Sequence, residues 1–172
     1  MPGDAFAQGV ARLGQYVCAR RRLLDAIARP RSNRDPFAEW AEWLAAEVMH
    51  GTRAINPVQT GYDVELPDGV RVQVKYLANT SDGNWRNGHE VRFPEDPSVL
   101  LYALLVVLDL EPVHLLVFHR ARLADLYDRL HKRHADQGQR LSLTKANYHK
   151  IAGNPEQFAG LVDIAWPNPE PA

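Results

Sequence analysis

The sequence predicts an α/β (α+β) fold in which helices pack on a central sheet. Two amphipathic segments come first, several strand-like segments follow, and a further helix and a weak strand close the chain. The length of 172 residues suits one domain with an appended helix, and 45% hydrophobic with 24% charged residues is typical of a globular chain. We therefore expect an N-terminal helix and basic linker over residues 1–34, one domain over 35–165 and a frayed tail over 166–172.

The first predicted helix covers residues 4–28, where apolar residues recur at spacings of four and three. Arg20 interrupts this seam, and an Arg-rich linker with one proline follows. The seam suits helix–helix packing, so we expect a homodimer with this helix in or near the interface. The alternative is that the helix packs on its own domain. The seam consists of Phe6, Val10, Leu13, Val17, Leu24 and Ile27.

A second helix is predicted over residues 36–50. Asp35 is a favourable N-cap, Pro36 suits the first helical position, and Gly51 marks the expected end. One apolar stripe follows the helix, as expected for a helix that packs on a sheet. The stripe consists of Phe37, Trp40, Ala41, Leu44, Ala45 and Val48.

A β-hairpin is predicted after this helix. Its strands cover residues 62–66 and 70–76, and a Pro-Asp-Gly turn separates them. Valines alternate with polar residues along the second strand, which places Gln73 and Lys75 on one face. Residues 77–97 are rich in Asn, Gly, Asp and Arg, and we expect them to form a long loop.

The second half of the chain alternates strands with helical segments. An apolar strand is predicted over residues 101–108 and a returning strand over 113–118. A helix is predicted over 121–134, and short strands near 141–143 and 161–164.

The hairpin brings together three residue types that phosphodiester hydrolysis requires. If its strands pair around the turn, Asp63 lies beside Gln73 and Lys75. A carboxylate and an amide carbonyl are oxygen ligands of the kind that Mg²⁺ prefers. A neighbouring lysine stabilises developing charge or positions the attacking water. A hairpin with one Asp and one Lys on a polar face is also a common structural feature.

The order of these blocks resembles the PD-(D/E)-x-K nuclease superfamily, which includes restriction endonucleases, Holliday-junction resolvases and related repair nucleases. The chain is most similar to a bacterial restriction-endonuclease-like domain family, over about residues 36–130. The blocks that carry the resemblance are Glu42-Trp43-Leu44-Ala45-Ala46, Gly61-Tyr62-Asp63, Asp68-Gly69 and Val72-Gln73-Val74-Lys75.

The resemblance implies a central mixed sheet of about four to five strands flanked by helices, with the N-terminal helix outside it. It implies that Asp63 binds the metal, that Lys75 is the active-site lysine and that Glu42 is the acidic residue of the first core helix. Gln73 stands where most members carry Asp or Glu. The implied reaction is cleavage of DNA with Mg²⁺, for which Mn²⁺ substitutes, in restriction, phage defence or DNA repair.

One departure from the family pattern leaves a second interpretation open. Gln73 removes one negative charge and weakens metal binding, although Mrr-type restriction enzymes look similar in carrying Gln-x-Lys. The alternatives are a catalytically inactive module that binds nucleic acid or a partner protein, and an interaction subunit that works through its N-terminal helix. Helical geometry alone does not choose between Glu42 and Glu47 as the acidic residue near the hairpin.

Two further segments are candidates for contact with nucleic acid. Residues 1–36 carry seven Arg and three Asp, for a net charge of +4, whereas the remainder carries −5. A basic run on the first helix suits phosphates, although such a run is more often a solvated helix face. A second segment in the long loop mixes aromatic, basic and imidazole groups. The candidate residues are Arg20, Arg21, Arg22, Trp85, Arg86 and His89.

Composition argues against several other classes of protein. One cysteine, Cys18, excludes an internal disulfide framework and a Cys-rich zinc module. The longest apolar run, Val99–Leu108, is about half a membrane span, and no secretory signal is evident at the N-terminus. We therefore expect a cytoplasmic protein without a membrane segment.

Overall fold

A computed structural model describes residues 2–55, 61–130 and 140–167 of the chain. Two helices come first, as predicted: α1 (Pro2–Ala26) and α2 (Pro36–Val48). The predicted N-cap of α2 is confirmed, because the Asp35 side chain accepts a hydrogen bond of 2.8 Å from the backbone nitrogen of Phe37. None of the helices in these described ranges has the length and apolar composition needed to cross a membrane.

Eight strands follow in two sheets, so the mixed α/β prediction is confirmed. Six strands form the main sheet in the order β1-β2-β3-β5-β6-β8, and β4 pairs with β7 in a second, two-stranded sheet. Only β3 and β5 pair in parallel, which makes the main sheet mixed. The strands are β1 (Thr52–Arg53), β2 (Val64–Glu65), β3 (Arg71–Asn79), β4 (His89–Arg92), β5 (Val99–Leu108), β6 (Glu111–His119), β7 (Arg140–Leu143) and β8 (Val162–Trp166).

Short helical segments fill the remainder of the described chain. A 3₁₀ turn (Arg120–Arg122) leads into α3 (Leu123–Arg129), and α4 (Lys145–Gly153) and α5 (Pro155–Phe158) precede the last strand. The helix predicted over residues 121–134 is therefore shorter where it is described, and its last four predicted residues lie outside the described ranges.

The prediction of one continuous loop over residues 77–97 is wrong at its beginning and in its interior. β3 continues to Asn79, and β4 pairs antiparallel with β7 from the pair His89 and Leu143 onward. β4 forms because Val91 is fully buried in a cluster with Leu141. A single valine in a short polar segment does not indicate such burial, so the sequence does not predict this strand. Trp166, assigned to the tail from the sequence, is the last residue of β8.

The main sheet has two apolar faces with different covers. Val72 and Val74 of β3 face α2, whereas Leu77 belongs to the cluster with the second sheet and α3–α5. Side chains alternate along a strand, so Gln73 and Lys75 lie on the Leu77 face, away from α2. The candidate site therefore lies on this face of the sheet, at the polar side chains of β3.

Helix α1 divides into a packed half and a projecting half. Leu24 is 1% exposed and Ile27 3%, so the end of the predicted seam packs on the domain. Phe6 is 76% exposed and Leu13 61%, so the beginning of the seam has no cover within the described chain. The seam predicted as one continuous packing surface is thus buried within its own domain only at its C-terminal end.

Candidate active site

The hairpin places Asp63 directly beside Gln73. The backbone nitrogen of Asp63 donates to the carbonyl of Val72 at 3.0 Å, which continues the antiparallel pairing of β2 with β3. Oδ2 of Asp63 then accepts hydrogen bonds from Nε2 of Gln73 and, at 2.7 Å, from the backbone nitrogen of Val74. The sequence expectation that these two residues lie together therefore agrees with the geometry.

Asp63 is a buried carboxyl in a polar setting. It is 5% exposed, and burial raises its pKa above the usual range. The hydrogen bond from Val74 and the positive charges of Lys75 and Arg34 act in the opposite direction. The two positive charges and the two hydrogen-bond donors thus offset part of the cost of burying this carboxylate.

Lys75 lies two residues beyond Gln73 on the same face of β3. Its side chain is exposed, and it makes no hydrogen bond or ion pair with any residue in the described part of the chain. Its charge nevertheless reaches the site, because it lowers the pKa of both Asp63 and His89. An ammonium group that lies close to a buried carboxylate and has no partner among the described residues is available to a phosphate or a water molecule.

Glu42 approaches the site from α2 and is 2% exposed, whereas Glu47 is exposed. The structure thus turns Glu42 inward, a choice that helical geometry alone left open. Burial raises the pKa of Glu42, and the charge of Asp63 raises it further. Arg34 opposes both, since its two terminal nitrogens bind the two Glu42 oxygens at 3.1 and 2.5 Å.

Arg34 belongs to an ionic cluster of buried glutamates and partly exposed arginines that the sequence pattern did not reveal. Glu39, also buried, lies 3.6 Å from Arg34 and 3.6 Å from Arg29, and accepts a hydrogen bond of 2.5 Å from Ser32. Both arginines lie in the linker before α2, which reads from sequence as a solvated basic segment. The only signal in the sequence is that two acidic residues of α2 closely follow three arginines of the linker.

Tyr102 and His89 extend the site across β5, and sequence reasoning missed Tyr102. It pairs with Gln73 in the register of β3 and β5, and its hydroxyl lies 2.7 Å from Nε2 of His89. Burial and the charge of Asp63 raise the pKa of Tyr102, and burial and the charge of Lys75 lower that of His89. The signal in the sequence is a single tyrosine, with its hydroxyl group, in an otherwise apolar strand.

The oxygen atoms of this cluster fit a hard divalent cation with few protein ligands. Gln73 donates to Asp63 through Nε2, which leaves its carbonyl oxygen, and Oδ1 of Asp63 makes no hydrogen bond with a described residue. One carboxylate and one carbonyl suit Mg²⁺, which usually keeps several waters. Glu42 contributes only where Arg34 releases it. No group of three or more His, Cys, Asp and Glu side chains among the described residues has the arrangement of a metal site.

The predicted nucleic-acid contacts do not all face this cluster. Arg20 is engaged with the linker, donating to the carbonyls of Ser32 at 3.0 Å and Arg34 at 2.8 Å. Trp85 is half-buried with its ring 5.2 Å from that of Tyr148. His89 lies at the site, because its Nε2 atom is 2.7 Å from the hydroxyl of Tyr102. The remaining candidates, Arg21, Arg22 and Arg86, are exposed.

No family model matches the chain, and no curated protein matches it either.

Proposed function

We propose that this protein is a divalent-metal-dependent nuclease that hydrolyses phosphodiester bonds in DNA. The observation that carries the proposal is the contact of Asp63 with Gln73 beside the ammonium group of Lys75, which has no partner among the described residues. The resemblance to PD-(D/E)-x-K nucleases in restriction, phage defence and DNA repair, which rests partly on the same residues, agrees with it.

Each residue of the cluster has a distinct role in this proposal. Asp63 and the carbonyl of Gln73 would hold a Mg²⁺ or Mn²⁺ ion, which would supply Lewis-acid chemistry to the phosphate and to the attacking water. Lys75 orients the attacking water and stabilises the charge that develops on the phosphate. Glu42 assists directly or through water when Arg34 moves away from it.

A cleavage assay with Mg²⁺ and with Mn²⁺ tests the proposal. We expect Asp63→Ala to reduce DNA hydrolysis to background, and Lys75→Ala to lower the rate by about 10²-fold or more. Lys150→Ala is the matched control, because Lys150 is exposed on α4. Cleavage by Asp63→Ala at the wild-type rate would show that the metal site is misassigned.

The charge balance of the site favours a second candidate function. Arg34 already pairs with Glu42, and Gln73 and the Val74 nitrogen already donate to Oδ2 of Asp63, so part of the negative charge of the cluster is compensated without a cation. This arrangement is expected of a module that binds nucleic acid through the same face without cutting it. Binding of DNA by the wild type, together with absence of cleavage in either metal, distinguishes this module from the nuclease.

We also propose that two copies of the chain act as a homodimer. One catalytic cluster cuts one strand, so cleavage of both strands is most simply achieved by two clusters related by a two-fold axis. The exposed beginning of α1, with Phe6 and Leu13, supplies an apolar surface for this contact.

A further inference from the structure

A recess of about 580 Å³ opens beside the catalytic cluster. Gln73 and Lys75 of β3 and Tyr102 of β5 line one side of it. The other side is the end of β4 and the residues after it, Arg92 to Glu95 along the chain, and Arg120 with Leu123 completes the lining. Its volume lies in the range of pockets that enclose a small organic molecule, about 300–1,000 Å³.

Three cations and one acid line the recess. Arg120 is fixed, because its guanidinium donates to the carbonyls of Pro94, Asp96 and Val99 at 2.7, 2.9 and 2.8 Å. Arg92 is exposed and makes no hydrogen bond or ion pair with the described residues. With Lys75 and against Glu95, the lining carries a net charge of +2, which favours an anion.

The wall of the recess is held by buried apolar side chains. Val91, next to Arg92, is fully buried with Leu141 of β7. The Phe93 ring packs against the Tyr102 ring, with 5.8 Å between the centroids. The Arg120 guanidinium also packs over the Phe93 ring, 5.0 Å from its centroid. The recess is therefore preformed, and Arg92, like Lys75, has no hydrogen bond or ion pair with the described residues, so its side chain is free to move toward a ligand.

We propose that this recess binds one nucleotide of an unpaired DNA strand next to the scissile phosphodiester, with Arg92 contacting its phosphate. The inference rests on the proposed nuclease function and specifies its substrate. A single strand is flexible enough to place one nucleotide in a walled recess, and cationic grooves are the usual means of following its backbone. A duplex is stiff over about 150 base pairs and enters such a recess only after a nucleotide is flipped out, which costs a few kcal/mol.

Fluorescence anisotropy in metal-free buffer tests the recess without cleavage. The probes are a labelled oligodeoxythymidylate and a labelled duplex of the same length. We expect the wild type to bind the single strand about tenfold more tightly than the duplex, the factor that corresponds to about 1.4 kcal/mol. We expect Arg92→Gln to weaken single-strand binding several-fold and to reduce the salt dependence by about one ion.

Arg31→Gln is the matched control, because Arg31 is exposed in the linker before α2 and does not line the recess. It should bind both probes as the wild type does. Equal affinity for duplex and single strand, or unchanged binding by Arg92→Gln, would overturn the inference. Arg92-dependent binding without cleavage in Mg²⁺ or Mn²⁺ overturns the nuclease proposal alone, and cleavage with Arg92-independent binding overturns the recess alone.

Discussion

The buried carboxyl of Asp63 makes the free energy of unfolding depend on pH. Burial raises its pKa above the value of about 4 that it has in an unfolded chain. Between these two pKa values the folded protein keeps a proton that the unfolded chain releases, so stability falls as pH rises through this window. Glu42, whose pKa burial also raises, acts in the same direction.

We therefore predict that Asp63→Asn melts at a higher temperature than the wild type at pH 7 and loses DNA cleavage. The asparagine oxygen still accepts from the Val74 nitrogen, and the buried charge is gone. For a chain of this length, each kcal/mol gained raises Tm by about 2–4 °C. Thermal denaturation between pH 4 and 8, with the exposed Asp25→Asn as control, measures the effect; a lower Tm for Asp63→Asn at pH 7 would contradict it.

Gln73→Glu should exchange stability of the metal-free protein for affinity toward Mg²⁺. The new carboxylate would lie against Asp63 where an amide now donates, and two like charges repel. Bound Mg²⁺ relieves that repulsion, so the rise of Tm with added Mg²⁺ should exceed that of the wild type. Gln157→Glu, exposed on α5, is the control. A smaller Mg²⁺-dependent rise in Gln73→Glu would show that residue 73 does not face the cation.

At the scale of single residues, the sequence predicts those side-chain positions that strand alternation determines. Asp63, Gln73 and Lys75 share a face because of hairpin pairing and the two-residue period, both of which are local properties. Arg34 and Tyr102 were not predictable in this way. The role of Arg34 depends on where the linker lies over α2, and that of Tyr102 depends on the parallel register of β3 and β5.

At the level of elements, Gly51 determines how closely α2 approaches the hairpin that carries Asp63. A Cβ atom on Gly51 would lie 2.6 Å from Cγ1 of Val64 and 3.0 Å from the carbonyl oxygen of Glu65. The backbone contact cannot yield without moving β2. The close approach thus connects the end of a helix to the position of the Asp63 carboxylate.

We predict that Gly51→Ala lowers the free energy of unfolding by about 1–3 kcal/mol and reduces cleavage. Gly9→Ala is the matched control, because nothing lies within 4 Å of a Cβ at Gly9, which is inside α1. Alanine there should be neutral or stabilising by up to about 1 kcal/mol. Urea denaturation of both variants measures the difference, and equal stability of the two would contradict the prediction.

Most elements were predictable because their signals are local. The caps of α2, the Pro-Asp-Gly turn and the apolar run of β5 each appear in a short window of sequence. β4 was missed because its pairing partner, β7, lies about fifty residues away and its only buried side chain at the centre is Val91. A strand of this kind is defined by tertiary packing rather than by a pattern.

For the whole molecule, the projecting half of α1 leads to a prediction about assembly. Phe6, Val10 and Leu13 form an exposed apolar ridge that continues the buried seam of the same helix. Such a ridge gains most from a second copy of itself across a two-fold axis. We expect sedimentation equilibrium to give a dimer at tens of micromolar, and Leu13→Glu to shift it to monomer.

Gln8→Glu adds the same charge to an exposed position of α1 outside the ridge and should leave the dimer intact. A monomeric wild type would rule out the dimer. A Leu13→Glu variant that remains dimeric would show that the interface lies elsewhere on the molecule.

The two-stranded sheet of β4 and β7 also has a dynamic consequence. β5 has a bonded strand on each side, whereas β4 has only β7, so its backbone hydrogen bonds have fewer neighbours to protect them. We expect the amide hydrogens of β4 to exchange with solvent faster than those of β5, through local opening that leaves the six-stranded sheet intact. Because Arg92 is the last residue of β4, such an opening would widen the recess. The rate at which a nucleotide enters and leaves the proposed recess would then depend on the rate at which this small sheet opens.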